Sequence, residues 1–280
     1  MIRAELRKQV RRPRTWVTLA ALAGFAVALT PALAVSGPER PEPVGDVPLL
    51  IVPATSGLTV PVIALSSTMK FFLPLAVAIF AGDAVAGEAR WGSLRYSLAR
   101  GLSRTRVLAA KALVAGLLAA IAVGLVPLAG LAAGVAAFGW HSLAVGDGGG
   151  ATALNPSLAT FAPAAAVGRL CLATAYVAAG MTSIFAFALF LSTVTTRPLV
   201  AVAGGVGLAI VSRVLNADYL PGVAMLSPLA PINDVDLWQR LFLQPARTDG
   251  MVAFGELQAV YATVFLGLAW WWFRRKDVLT

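Results

Sequence analysis

Residues 82–111 read GDAVAGEARWGSLRYSLARGLSRTRVLAAK, from Gly82 to Lys111. This Arg-rich stretch lies between two apolar runs of membrane-spanning length. It sets Asp83 and Glu88 against Arg90, Arg95, Arg100, Arg104, Arg106 and Lys111. In a polytopic membrane protein, short connections rich in Lys and Arg stay on the cytoplasmic side. The segment is long enough for a short helix parallel to the membrane, a shape that offers a docking surface to a cytosolic partner. It points to a membrane subunit driven by another protein.

Composition agrees with that class. Apolar residues make up 59% of the 280 residues and charged residues 12%, where soluble domains carry about 25% charged. Mean hydropathy is +0.81. Several apolar stretches reach the ~20 residues that a bilayer crossing needs. We read one domain, residues 1–280, as an all-α integral membrane protein. A net charge of +9 on a soluble chain would suggest nucleic acid. On a membrane protein it marks topology and contact with anionic lipid, so no nucleic-acid partner is expected. One cysteine, Cys171, excludes an internal disulfide and a thiolate zinc site. One histidine, His141, excludes a histidine metal cluster.

Six helical spans are expected, near Val17–Val35, Lys70–Gly87, Leu108–Phe138, Ala164–Thr193, Pro198–Leu215 and Leu257–Phe273. The third and fourth exceed a bilayer's thickness, which calls for tilt, projection beyond the lipid, or a bend at Gly124 and Pro127. Lys and Arg concentrate before span one, between spans two and three, and in Arg274, Arg275 and Lys276. The opposite loops hold only Arg40, Arg240 and Arg247. Lys70, Arg169 and Arg213 lie at or inside the ends of apolar runs, where they can snorkel. This alternation places both termini in the cytoplasm. Trp16, Trp91 and Trp270 to Trp272 fall at the cytoplasmic borders and Trp140 and Trp238 at the outer side, as interfacial aromatic belts do.

The first sixteen residues are read as an interface helix. Ile2, Leu6 and Val10 recur every four positions, with Arg3, Arg7 and Arg11 on another face, until Pro13 ends the run. A basic start followed by an apolar run and Ala32-Leu33-Ala34 also has the look of a signal peptide, and Arg11-Arg12 that of a twin-arginine signal. The apolar run is near full span length, so a retained span is expected. Ser36–Pro61 reads as a Pro-rich outer loop and Gly146–Gly150 as an outer turn. Residues 216–255 read as an outer loop with short helices. One runs over Val235–Leu243, capped by Asp234, with Leu237, Trp238 and Leu241 as its apolar face.

The four lysines are followed by Gln9, Phe71, Ala112 and Asp277, so no Walker-type phosphate cradle exists. Gradient-driven carriers bury ionisable residues at mid-membrane. The interiors of spans one, three, five and six carry none. An external motor is therefore favoured, with no cofactor in this chain. The charged connection suits that role, because Leu94 and Leu98 follow Trp91 at three and seven residues and form an apolar ridge rimmed by Arg90, Arg95 and Arg100. Glu88 is expected to cap the start of that helix or to meet an arginine of the partner.

These parts, taken in order, resemble the membrane permeases of type-2 ATP-binding-cassette (ABC) exporters. The resemblance covers nearly the whole chain. It rests on the basic amphipathic start, the first span, a polar outer loop, Gly82-Asp83 with Glu88 and Gly92-Ser93-Leu94-Arg95, then Ser103-Arg104, the later spans and Arg274-Arg275-Lys276-Asp277. It implies six spans in a bacterial inner membrane, a dimer with an identical or related permease chain, and cytosolic ATPase subunits that hold ATP and Mg. It also implies a coupling helix within residues 82–107, with Glu88, Arg90, Trp91, Gly92, Leu94, Arg95 and Leu98 as contact residues. The importer loop pattern of Glu-Ala-Ala, glycine three residues on and a distant Leu-Pro is not met, since Gly92 comes one position early.

The expected function is export of an amphipathic or hydrophobic compound, without an enzymatic site in this chain. Its path would pass Tyr176, Met181, Phe185 and Phe187, beside the small residues Gly204, Gly205 and Gly207. Two other readings stand. One is an intramembrane protease or acyltransferase, for which Ser66 and Lys70 are the nearest thing to a catalytic pair. The other is a regulatory membrane subunit that transports nothing.

Overall fold

The computed structural model describes residues 1–36, 42–44, 49–51, 56–90, 92, 103–147, 158–215 and 229–275. A short helix α1 (Ile2–Val10) leads into α2 (Pro13–Ser36). Pro13 opens α2, where a missing N–H is an orphan in any case. Next come α3 (Thr59–Met69), α4 (Phe72–Arg90) and α5 (Arg104–Phe138). They are followed by α6 (Pro163–Gly180), α7 (Thr182–Val194), α8 (Pro198–Leu215) and α9 (Met251–Arg275). Six helices or helix pairs are long and apolar enough to cross a membrane: Pro13–Val35, Phe72–Arg90, Arg104–Phe138, Pro163–Val194, Pro198–Leu215 and Met251–Arg275. The chain is a multi-pass α-helical membrane protein. Helix α1 and the end of α9 both lie against the first turns of α5, where Lys111 pairs with Glu5 and Arg104 donates a hydrogen bond to the Arg274 carbonyl at 2.9 Å. We refer to this end as the terminal face and to the opposite one as the distal face.

Three elements differ from the sequence expectation. First, Thr59–Met69, assigned partly to an outer loop and partly to no element, is an apolar helix with nine buried residues. It packs along α5 and is separated from α4 by Lys70-Phe71. Apolar residues and small hydroxyl residues alike are buried on its faces, which removes the period-3.6 contrast by which a helix is seen in sequence. Second, the long fourth span breaks at Met181. Third, the distal connections pair into a four-stranded antiparallel sheet, β1 (Glu42–Val44), β2 (Leu49–Ile51), β3 (Leu143–Asp147) and β4 (Leu158–Phe161). Its register sets Glu42 against Ile51, Leu49 against Asp147, and Leu143 against Phe161. Gly146 and Asp147 therefore lie in β3, and the remaining glycines of the expected GDGGG turn, 148–150, lie outside the described residues.

A 3-10 helix, Asn233–Phe242, packs into the bundle from the distal face. With three residues per turn, Val235, Trp238 and Leu241 form one ridge, and all three are buried. Trp238 is therefore no interfacial tryptophan. It is fully buried, and its indole N–H points at the Met69 sulfur 3.1 Å away. Asp234 lies within this helix at a non-helical kink and makes no capping bond, contrary to expectation. Burial raises its carboxyl above the usual carboxylate range, with Arg240 pulling the other way. Arg169, expected to snorkel, donates to the carbonyls of Leu241 and Leu243 at 2.6 and 3.1 Å and stacks on Phe161 at 4.1 Å. It satisfies the end of the 3-10 helix, where carbonyls lack intrahelical partners.

Close helix approach rests on glycine. A Cβ on Gly57 would sit 2.6 Å from the Val135 nitrogen, and one on Gly134 would sit 2.9 Å from Val60. Helix α5 is otherwise roomy at Gly124, where nothing lies within 4 Å. Gly134→Val is expected to lower stability by about 1–3 kcal/mol through overpacking. Gly124→Ala is expected to be neutral or to stabilise by up to about 1 kcal/mol through helix propensity. Thermal unfolding of the two purified variants in one detergent checks the contrast.

Candidate functional site

The terminal face holds a buried ion network built on Asp83, Glu88 and Lys111 from the quoted stretch. Lys111 and Glu88 are each only 3% exposed, and the ammonium lies 2.6 Å from Glu88 Oε1. The same ammonium donates to Glu5 Oε1 at 3.1 Å. Lys8 reaches the same oxygen of Glu88. Arg12 donates to Asp83 Oδ2 at 2.6 Å, and Arg14 pairs with that oxygen too. Among the described residues, three carboxylates thus meet four cations. Helix α1 is fastened by these bonds to the end of α4 and the start of α5. Its protein-facing side is Glu5, Leu6 and Gln9, whereas Ile2 and Val10 of the expected stripe are 50% and 37% exposed.

Local sequence explains the recess. Asp83 and Gly87 are one turn apart, and a Cβ at Gly87 would lie 2.5 Å from the Asp83 carboxylate oxygens. Glycine leaves the room in which that carboxylate turns toward α2. Gly82 does the same for packing, since its Cβ would meet the Val202 nitrogen of α8 at 2.9 Å. The Ser192 hydroxyl of α7 accepts from the N–H groups of Val85 and Ala86 at 3.0 and 2.9 Å. The GDAVAGE run is thus a packed helix end.

That placement corrects the expected position of the charged connection. Gly82–Arg90 is the last part of α4, and α5 begins at Arg104. Glu88 lies near a helix C-terminus, so it caps no helix start. The macrodipole disfavours a carboxylate there, and Lys8 and Lys111 compensate. Arg90 is the exposed last residue of α4. Gly92 adopts φ +66 and donates to the Ala89 carbonyl at 3.2 Å, turning the chain out of α4. Trp91, Leu94, Arg95 and Leu98 lie outside the described residues.

A second feature is an apolar cavity of about 240 Å³ at the helix break. It is lined by Val77 of α4, by Gly116, Ala119, Ala120 and Val123 of α5, and by Ala178, Met181, Thr182 and Phe185 beside the break. Met181 and Phe185 of the expected path are therefore together at one cavity. Tyr176 and Phe187 are elsewhere. Tyr176 donates to the Asp234 carbonyl at 2.8 Å and packs on Phe254, whereas Phe187 packs on Phe265 of α9. Sequence reading missed Val77 and the small residues of α5, since Gly and Ala at helical spacing read as ordinary packing. Among the described residues, no three His, Cys, Asp or Glu side chains gather as a metal site.

The network yields a test. Removing one partner of a buried ion pair typically costs about 3–5 kcal/mol, whereas removing both costs far less. Glu88→Gln and Lys111→Met are each expected to lower the unfolding midpoint strongly. The double variant is expected to recover much of that loss. A double-mutant cycle on detergent-purified protein reads the coupling, and additive losses would contradict it.

No curated protein matches the chain. Residues 47–279 match the family described as "Protein of unknown function (DUF2705)". That span includes Asp83, Glu88 and Lys111 and excludes Glu5, Lys8, Arg12 and Arg14, which pair with them. The match covers most of the chain, and the protein belongs to this DUF2705 family.

Proposed function

We propose that this protein is the permease subunit of an ATP-driven exporter of the type-2 ABC kind, with both termini in the cytoplasm. It moves an amphipathic or hydrophobic compound. The observation that carries this reading is a shared pair of helices. Helices α4 and α5 flank the Arg-rich connection 91–103 on the terminal face, and the same two helices wall the apolar cavity. Thirteen helical residues of α4 and twelve of α5 separate the ends of the connection from Val77 and Gly116, about 20 Å at 1.5 Å per residue. A push on the connection is carried along two rigid helices to the cavity wall.

In this mechanism a cytosolic ATPase docks on the apolar ridge of Trp91, Leu94 and Leu98, with Arg90 and Arg95 on its rim. ATP and Mg belong to that partner, and a second permease chain completes the dimer. Closure of the motor shifts α4 and α5 against the helix break at Met181, and the cavity alternates between accepting and releasing cargo. Glu88 supports the connection from within the protein through Lys111 and Lys8.

Co-expression with a candidate ATPase tests the reading. Pull-down on this chain is expected to recover the ATPase stoichiometrically, with vanadate-sensitive hydrolysis. Leu94→Asp is expected to abolish ATPase stimulation by tenfold or more in order of magnitude, as loss of an interface anchor does, with membrane insertion unchanged. A solitary chain, or transport unaffected by Leu94→Asp, would contradict the proposal. A stoichiometric complex without transport would favour a regulatory subunit.

A further inference from the structure

The seam between the start of α5 and the end of α9 carries a group of aromatic and basic side chains that the proposed function does not use. Arg274 lies over the Trp270 ring at 4.8 Å, and Arg275 lies over Trp271 at 4.3 Å. The Trp270 indole N–H points to the Thr105 hydroxyl at 3.3 Å, and Arg104 holds the Arg274 carbonyl at 2.9 Å. Two helices are thereby fastened together at their terminal-face ends. Trp270, Trp271 and Trp272 remain 42%, 43% and 40% exposed. Only 11% of the most apolar stretch of α9 is buried within the chain, which leaves most of this helix uncovered by the rest of the protein.

Chemistry narrows the ligand. A guanidinium held over an indole by its cation–π contact still has N–H donors to offer an oxyanion, and a planar fork suits phosphate. Stacking also lowers the entropy lost on binding, because the side chain is already held. Tryptophan at this depth sits at the headgroup level of a bilayer. The described carboxylates of the terminal face, Glu5, Asp83 and Glu88, are engaged by Lys8, Arg12, Arg14 and Lys111. We propose that Arg274 and Arg275, framed by Trp270 and Trp271, bind the phosphate of an anionic phospholipid headgroup at the α5–α9 seam. Each basic side chain near an anionic surface raises affinity about fivefold.

The test uses the full chain in mixed micelles with brominated phosphatidylglycerol or brominated phosphatidylcholine. Quenching is read in a Trp16→Phe, Trp91→Phe, Trp140→Phe background, which leaves Trp270 to Trp272 and the buried Trp238. The expected result is a preference for phosphatidylglycerol that falls about 25-fold in Arg274→Gln/Arg275→Gln. Arg274→Lys/Arg275→Lys, which keeps charge and loses the planar fork, is expected to fall between the two. Arg3→Gln/Arg7→Gln, on the exposed side of α1, is expected to keep the full preference. Equal losses in the α1 and α9 variants would show diffuse charge attraction and overturn the site. So would an absent preference, or displacement of the lipid by millimolar inorganic phosphate, which would identify a free-phosphate site instead.

Discussion

The Lys111–Glu88 pair is the interaction on which the terminal face depends. Both groups are nearly sealed from water at 2.6 Å separation. Neither charge is tolerable alone in such a place, because desolvating an ion costs several kcal/mol that only close, well-bonded partners offset. The pair therefore fixes α4 and α5 relative to each other at the ends from which the 91–103 connection departs. Glu5 and Lys8 complete the bonding from α1, and Asp83 holds Arg12 and Arg14 one turn of α4 earlier. The amino-terminal segment is thus part of the packed structure. Gly87 is the enabling residue, since a larger side chain would displace the Asp83 carboxylate.

The distal half is organised by different means. There the contacts are apolar or run from side chain to backbone. Trp238 fills the space beside Met69, and Arg169 and Tyr176 satisfy carbonyls of the 3-10 segment. Gln258 of α9 accepts from the Ser183 N–H at 3.2 Å and donates to the Pro231 carbonyl, joining the helix break to the distal segment. Between the charged end and this apolar end lies the cavity at Met181. In the proposed transport cycle the cavity changes shape, and it lies between an ion-paired layer and one held by packing.

Much of the helical frame was legible in the sequence because bilayer length and hydropathy are strong one-dimensional signals. The expected run Pro198–Leu215 coincides with α8, and Leu108–Phe138 falls within α5. The charged residues at 82–111 were visible, but their placement was not. Glu88 was expected to cap a helix start or to meet a partner's arginine, whereas it is buried with Lys111 inside the chain. Lys8, Arg12 and Arg14, the cationic partners of Glu88 and Asp83, lie some seventy to eighty residues away, a pairing that no local pattern encodes. Helix α3 was hidden because it is buried on nearly every face, so no polar side marks its period. The break at Met181 has neither proline nor glycine at the residue itself, although Gly180 precedes it. Of the expected path residues, Met181 and Phe185 line the cavity. Tyr176 and Phe187 show why aromatic type alone does not locate a site: each found an aromatic neighbour on α9.

Backbone hydrogen exchange along α1 tests the central claim most directly, that a buried ion network makes the amino-terminal helix part of the fold. A nine-residue helix is too short to hold its amides on its own in water. The account predicts strong protection of residues 5–10 in the native chain and its collapse in Glu88→Gln, with α8 protection unchanged. Exchange of α1 as fast as in a free peptide in the native chain, or protection indifferent to Glu88→Gln, would contradict it.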